Sequence, residues 1–208
     1  MRRYLPLLGL ASALFAAAPA QTPAIYDFNM PDVHGKLAPL AQYKKQVLLI
    51  VNVATGSSYT PQLAQLQALY ERYHSAGLDI LAFPSNDFGA EEPNSDEAID
   101  SFCKSNYHTT FPIFSKVAVR GDEVTPLFHY LAKEANPKLK GDVHWNFTKF
   151  LVGRNGKLVA RFEPDTAPDD PDVLVAIEKA LADSGASSQE RPNPPQENED
   201  QTPPRSDE

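Results

Sequence analysis

The sequence is poor in cysteine, with Cys103 as the one thiol among 208 residues. A single thiol cannot close an intramolecular disulfide, build a zinc site or form a CxxC redox pair, so these frameworks are excluded within one chain. Positive charge is also scarce, since 19 Lys and Arg face 27 Asp and Glu and the net charge is −8. Such a chain lacks the basic stripe that neutralises phosphates, which argues against a nucleic-acid-binding protein.

Long apolar runs are absent after the first twenty residues. Arg2 and Arg3 precede an apolar stretch at residues 5–18, and small residues follow at 18–20. This order is typical of a secretory signal, so we expect residues 1–20 to be removed and the protein to be exported, either to a periplasm or out of the cell. The stretch is shorter than the roughly 20 residues that span a bilayer, and no transmembrane segment is expected. The paired arginines leave the general and the twin-arginine export routes both open.

Aliphatic side chains are nearly missing from residues 184–208, where five prolines stand among Ser, Gln, Asn and acidic residues. A segment of this composition cannot bury enough apolar surface to offset the entropy of ordering, which predicts a disordered, Pro-rich acidic tail. The tail either raises solubility or docks on a protein partner that the sequence does not identify. Residues 21–183 remain as a single domain.

Within this domain, segments with strand and helix patterns alternate. Residues 46–53 read QVLLIVNV, a run typical of a strand buried on both faces, and residues 78–83 form a second run of this kind. Helix starts are predicted where a capping residue precedes a proline or an acidic turn; they lie at Thr60-Pro61, Asn94 or Ser95, Thr125-Pro126 and Asp170-Pro171. Residues 147–152 and 157–162 flank a turn and predict a hairpin. This order indicates an α/β domain with a central mixed β-sheet flanked by helices.

Four short motifs stand in this domain: NVAT at residues 52–55, FPSNDFG at 83–89, FPIF at 111–114 and WNFTKF at 145–150. Together they resemble the glutathione peroxidase family in its bacterial version, and the resemblance covers residues 25 to about 181. It implies a thioredoxin-like fold and the reduction of hydroperoxides by a peroxidatic cysteine or selenocysteine. It also implies glutathione or a thioredoxin-type protein as the reducing co-substrate, and no bound cofactor.

The resemblance further implies four site positions. The nucleophile falls on Ser57, and the three side chains that surround it fall on Glu91, Trp145 and Asn146. The family has cysteine at the first position and glutamine at the second, so two of the four positions differ in this sequence. A serine hydroxyl has a far higher pKa than a thiol and cannot form a sulfenic acid. An ionised Glu91 only accepts hydrogen bonds, whereas a glutamine also donates them.

These two differences are mutually consistent. A carboxylate beside a thiolate carries a like-charge penalty, but beside a neutral hydroxyl it carries none. The pair of residues therefore predicts a site that no longer holds an anionic sulfur.

Cys103 offers another source of thiol chemistry. The family's resolving-cysteine position falls one residue away, on Lys104, and a shift of one residue turns a helical side chain by about 100°. Cys103 shares its helical stripe with Ile99 and Phe102, which predicts a buried core residue rather than a redox centre. The five histidines are isolated in the sequence, with no HxH or HExxH spacing, so no metal site is expected.

Several functions stay open on these residues. The preferred interpretation is an exported family member without peroxidase activity. It would serve as a binding module through the former peroxide pocket, for a hydroperoxide or another small ligand, or through the tail. The alternatives are an active peroxidase that uses Cys103, unrelated chemistry at Ser57 and Glu91, and a structural domain that presents the tail. The GxSxG motif of serine hydrolases is absent. The pair Glu91-Glu92 also fits a solvated acidic patch ahead of a helix.

Overall fold

The computed structural model describes residues 24–184. The predicted signal peptide and all of the predicted tail except Ser184 lie outside the described residues. The strands are β1 (Asn29–Pro31), β2 (Leu37–Pro39), β3 (Val47–Val53), β4 (Leu78–Pro84), β5 (Lys149–Val152) and β6 (Leu158–Phe162). The helices are α1 (Gln62–Tyr73), α2 (Asp96–Tyr107), α3 (Pro126–His129) and α4 (Pro171–Ala182).

β3 lies inside a four-stranded mixed sheet with the strand order β4-β3-β5-β6. β4 pairs with β3 in parallel, and β5 and β6 follow as antiparallel neighbours. All seven residues of β3 are buried, as expected for a continuous apolar strand that is covered on both faces. The predicted α/β class with a central mixed sheet is confirmed.

Helices cover both faces of this sheet. Successive residues of a strand point to opposite faces, and the odd-numbered residues of β3 join a core cluster with α1, α2 and α4. Leu48 and Ile50 join the second cluster, which includes α3. Cys103 lies in the first cluster and is 1% exposed, so its prediction as a core residue is confirmed.

Side chains cap two of the predicted helix starts. Ser95 accepts a hydrogen bond from Ala98 N at 3.3 Å, which decides between Asn94 and Ser95 at the start of α2. Asp170 accepts one from Asp172 N at 2.9 Å at the start of α4. Both caps satisfy N–H groups that the first helical turn leaves without a partner.

The prediction that Thr60 caps α1 is wrong. α1 begins at Gln62, and Thr60 Oγ1 instead donates to carbonyls of the preceding loop, the nearest being Ser57 O at 2.6 Å. The helix starts one residue later than the motif suggests, because the threonine hydroxyl closes the turn before the helix rather than opening the helix itself.

Two further differences concern short elements. β5 begins at Lys149 rather than at Phe147, because Phe147 adopts a left-handed conformation with φ 67° that cannot continue a strand. The hairpin of β1 and β2 was not predicted, since strands of three residues carry no readable periodicity. α3 is a single turn that continues into a π-helical segment, Tyr130–Glu134.

None of the helices in residues 24–184 is long and apolar enough to cross a membrane.

Candidate functional site

The loop between β3 and α1 carries Ser57, which is 6% exposed. Its backbone N–H donates to Ala54 O at 3.4 Å, and its carbonyl accepts from Thr60 N at 3.0 Å. Ser57 Oγ accepts a long hydrogen bond of 3.4 Å from Tyr59 N. The hydroxyl therefore sits in a tight turn directly after the central strand.

Glu92 ties this loop to the segment that follows β4. Its side chain is fully buried, and its carboxylate accepts hydrogen bonds from Thr55 N at 2.6 Å and from Thr55 Oγ1 at 2.8 Å. Asn94 Nδ2 adds a third contact at 3.3 Å. A buried carboxylate is tolerated only when donors of this kind replace its water shell. Glu92 is therefore a structural clamp, and the interpretation as a solvated patch is wrong for this residue.

Gly56 brings the two loops into backbone contact. Its N–H donates to Glu91 O at 2.9 Å. A Cβ at Gly56 would lie 2.8 Å from the same oxygen, which is closer than real Cβ contacts come, so glycine is required here. Ser57 and Glu91 are thereby held on neighbouring backbone segments.

Glu91 and Asn146 are joined by a direct hydrogen bond, in which Asn146 Nδ2 donates to Glu91 Oε2 at 2.9 Å. Asn146 is fully buried, and its Oδ1 finds no hydrogen-bond partner among the described residues. The amide N–H of Asn146, which could otherwise bind an anion, is therefore occupied by the Glu91 carboxylate. The atom left without a partner is the amide oxygen, which is an acceptor. These groups therefore favour a ligand that donates hydrogen bonds over a ligand that is an anion.

Trp145 lies at the rim of this cluster and is 38% exposed. Its ring lies 5.6 Å from that of Phe88, measured between centroids, with a tilt of 42°. Its carbonyl accepts a hydrogen bond from Asn52 Nδ2 at 3.1 Å, and Asn52 Oδ1 accepts one from Thr148 N at 3.0 Å. The buried Asn52 of β3 therefore anchors the segment that presents the indole, which has not turned into the core.

The four predicted positions are brought together unequally. Glu91 and Asn146 touch directly. Trp145 adjoins Asn146 in sequence and contacts Phe88, which lies on the same loop as Glu91. Ser57 meets this group through the backbone of Gly56, and within residues 24–184 its hydroxyl forms no hydrogen bond to the other three side chains.

Sequence reasoning missed the residues that assemble the site. Asn52 and Glu92 both stand within the quoted motifs or beside them, and a polar residue inside an apolar strand was an available signal for Asn52. Asn52 bonds to Trp145, 93 residues away in the chain, and Glu92 bonds to Thr55, 37 residues away. Only the folded chain brings these groups within hydrogen-bond reach.

The thiol of Cys103 is expected to be unreactive. Burial, together with the negative charges of Glu92 and Asp100, raises its pKa to about 12. At neutral pH the group stays protonated, and the thiol is a poor nucleophile compared with the thiolate. No group of three or more His, Cys, Asp and Glu side chains that could hold a metal ion occurs in the described part of the chain.

The side chain of Lys149 stabilises the turn that follows Asn146. Its side chain is fully buried, and Nζ donates to Phe147 O at 2.8 Å and to Glu163 O at 3.4 Å. The contact with Phe147 holds the left-handed turn that follows Asn146. Burial lowers the pKa of Lys149 from 10.5 to about 8, although Asp165 and Glu163 act in the opposite direction.

Solved structures define the class of fold. A thiol:disulfide interchange protein of the thioredoxin family from Chlorobium tepidum superposes with a TM-score of 0.53 at 16% identity, covering 79% of this chain and 99% of that one. The crystal structure of T. cruzi GPX1 superposes with a TM-score of 0.61 at 32% identity, covering 76% and 97%. The domain therefore has the thioredoxin-like fold that the motifs implied.

Sequence comparisons define the family. The family model described as glutathione peroxidase matches residues 25–132. The glutathione peroxidase homolog BsaA of Staphylococcus epidermidis is 44% identical over 158 residues, which are 76% of this chain and 99% of the relative. The hydroperoxy fatty acid reductase gpx1 of Synechocystis is 43% identical over 163 residues, or 76% and 95%. This chain belongs to the glutathione peroxidase family, whose activity is the reduction of hydroperoxides.

The Lys149→Met variant tests the burial of the lysine ammonium group. The pKa of Lys149 is lower in the folded than in the unfolded chain. The free energy of unfolding of the unmodified protein should therefore rise, relative to the variant, between about pH 8 and pH 10.5. The rise is at most roughly 3 kcal/mol, because one pKa unit corresponds to about 1.4 kcal/mol. Urea unfolding at a series of pH values measures this difference.

Lys157→Met is the matched control, since it makes the same chemical change on an exposed side chain between β5 and β6. The difference in the free energy of unfolding between the unmodified protein and Lys149→Met should change with pH, whereas the difference for Lys157→Met should not. If both differences are equally independent of pH, the assignment is contradicted.

Proposed function

We propose that this protein is an exported member of the glutathione peroxidase family that has lost peroxide reduction and uses the former peroxide site to bind a small ligand. The observation that carries the proposal is the serine at position 57. The family reaction needs a thiolate or selenolate that attacks the O–O bond and becomes a sulfenic or selenenic acid. A serine oxygen cannot be oxidised in this way.

The surroundings of Ser57 support the proposal. Glu91 brings a negative charge to the backbone segment that contacts Gly56, next to Ser57, and it also occupies the amide donor of Asn146. A thiolate here would meet a like charge and would lose a hydrogen-bond donor, and both effects raise the pKa of a thiol. A neutral serine hydroxyl meets neither penalty.

The alternative of a peroxidase that uses Cys103 has less support. The thiol is 1% exposed within the core cluster, and burial raises its pKa to about 12. A peroxide would need a path into the core, and the thiol would need to lose its proton there. Neither requirement is met by the packing around α2.

The ligand class follows from the atoms that remain available. Glu91 is half-buried and offers carboxylate oxygens, and Trp145 presents an aromatic surface that is 38% exposed. A small molecule that donates hydrogen bonds and carries an apolar part suits this combination better than an anion does.

Export is the second part of the proposal and rests on the pattern of residues 1–20. If the signal is cleaved after Ala20, the protein recovered from the periplasm or medium of the expressing cells begins at Gln21, and intact mass spectrometry detects this. A full-length chain that stays inside the cell would contradict export and would leave the site argument unchanged.

The peroxidase assay is the main test. With hydrogen peroxide or cumene hydroperoxide, and with either glutathione or thioredoxin as the reductant, we expect the unmodified protein and its Cys103→Ala variant to show no turnover above the rate without protein. Turnover that persists in Cys103→Ala would overturn the argument about sulfur. Turnover that is lost in Cys103→Ala would show that the buried thiol is the nucleophile.

Restoring the sulfur tests the electrostatic argument. Ser57→Cys is expected to gain little activity, whereas Ser57→Cys with Glu91→Gln should gain at least about tenfold more, because the second change removes a like charge and adds an amide donor. Ser57→Cys with Glu97→Gln is the matched control. It makes the same acid-to-amide change on an exposed side chain at the start of α2, and it should resemble the single variant. Equal rates for the three variants would contradict the role assigned to Glu91.

A further inference from the structure

A surface groove of about 500 Å³ runs between α4 and β6 and shares no residue with the candidate site. Its lining residues are Val159 and Ala160 of β6 and Asp172, Val175, Ala176, Lys179, Ala180 and Asp183 from α4 and its end. We call it the α4–β6 groove. Apart from the charged residues at its two ends, the lining consists of valine and alanine side chains.

Two large apolar side chains of this groove are exposed. Val175 is 64% exposed and Val159 is 48% exposed. α4 already buries Val173 and Ile177 against the sheet, so Val175 is not needed for the core. Exposed apolar side chains that lie together mark sites of association more often than isolated ones do.

Two of the three charged residues of the groove, Asp172 and Lys179, are placed symmetrically about its apolar centre, and the third, Asp183, lies four residues beyond Lys179. Asp172 stands three residues before Val175, and Lys179 stands three residues after Ala176. With a rise of about 1.5 Å per residue, each charge lies roughly 5 Å along the helix from the midpoint between Val175 and Ala176. A second α4 that lies antiparallel across this midpoint therefore brings Asp172 of each chain opposite Lys179 of the other.

We propose that the α4–β6 groove binds a second copy of this chain, with the two α4 helices antiparallel and Val175 of each protomer inserted in the groove of its partner. A two-fold axis through the helix midpoint makes the contact self-complementary, as isologous dimers require. The alanines at positions 160, 176 and 180 leave room for the inserted valine.

Backbone pairing between two β6 strands is a poorer arrangement. β6 is the edge strand of the sheet, but its pairing with β5 shifts register between Leu151 and Val152. A bulge of this kind disturbs the regular row of N–H and C=O groups that strand addition needs. The contact is therefore made by the side chains of α4 and Val159.

The charge pattern favours a copy of the same chain over an unrelated partner. A heterologous ligand would need only a patch of complementary charge, whereas the equal spacing of Asp172 and Lys179 about the apolar centre is what an antiparallel self-contact requires. This inference is independent of the proposed function, since neither Ser57 nor Glu91 contributes to the groove.

Sedimentation equilibrium of protein purified from cells that express the full-length chain tests the proposal. We expect a monomer–dimer equilibrium, and we expect Val175→Glu to weaken the dimer by at least about tenfold, because a charge would have to lose its water in the groove. Val175 is exposed, so the monomer should fold normally, which circular dichroism checks. Leu37→Glu is the matched control: Leu37 is 67% exposed and lies on β2, outside the groove, and the dimer should persist.

A charge exchange tests the antiparallel arrangement. Asp172→Lys and Lys179→Glu should each dimerise at least about tenfold more weakly alone, because each brings like charges together twice. An equimolar mixture of the two variants should regain the dimer, since the heterodimer restores both opposite-charge contacts.

Three results would overturn the proposal. They are a protein that stays monomeric up to several hundred micromolar, a dimer that Val175→Glu does not weaken, and variants whose mixture dimerises no better than either does alone. A dimer that is lost in Leu37→Glu instead would assign the contact to a different surface.

Discussion

The buried carboxylate of Glu92 accepts both the N–H and the hydroxyl of Thr55, and this contact holds the loop after β3 against the loop after β4. Once these loops are joined, Gly56 reaches the carbonyl of Glu91, and Ser57 and Glu91 become neighbours. The Glu92 contact and the Gly56 backbone hydrogen bond together fix the turn that carries Ser57 relative to Glu91. The cost of burying Glu92 is offset because its oxygens are fully supplied with donors.

A second anchor completes the arrangement from the other side of β3. The side chain of Asn52 bonds to both ends of the turn from Trp145 to Thr148, while Lys149 holds the Phe147 carbonyl in the middle of that turn. Asn146 is thereby placed where its amide meets Glu91. These hydrogen bonds hold the turn that carries Trp145 and Asn146 against the end of β3.

α4 packs one face against the sheet and leaves another face exposed to solvent. Val173 and Ile177 are committed to the core, and the stripe with Val175 faces outward beside the edge strand. The candidate site lies at the ends of β3 and β4, whereas the apolar surface lies beside β6 at the far edge of the sheet.

The sequence by itself determined the α/β class, most of the helices and strands, the core position of Cys103 and the family to which the chain belongs. These features depend on local patterns: the continuous apolar run of β3, the capping residues Ser95 and Asp170, and ordered motifs. The start of α1, the left-handed Phe147 and the burial of Glu92 were decided by tertiary structure.

The physical reason is the same in each of these cases. A polar group takes the conformation that satisfies its hydrogen bonds, and the partners of Asn52 and Glu92 stand far away along the chain. Residue identity alone could say that Ser57 cannot perform peroxide reduction as a thiolate does. Only the folded chain shows that Glu91 occupies the amide of Asn146, and that Val175 lies between two opposite charges on an open surface.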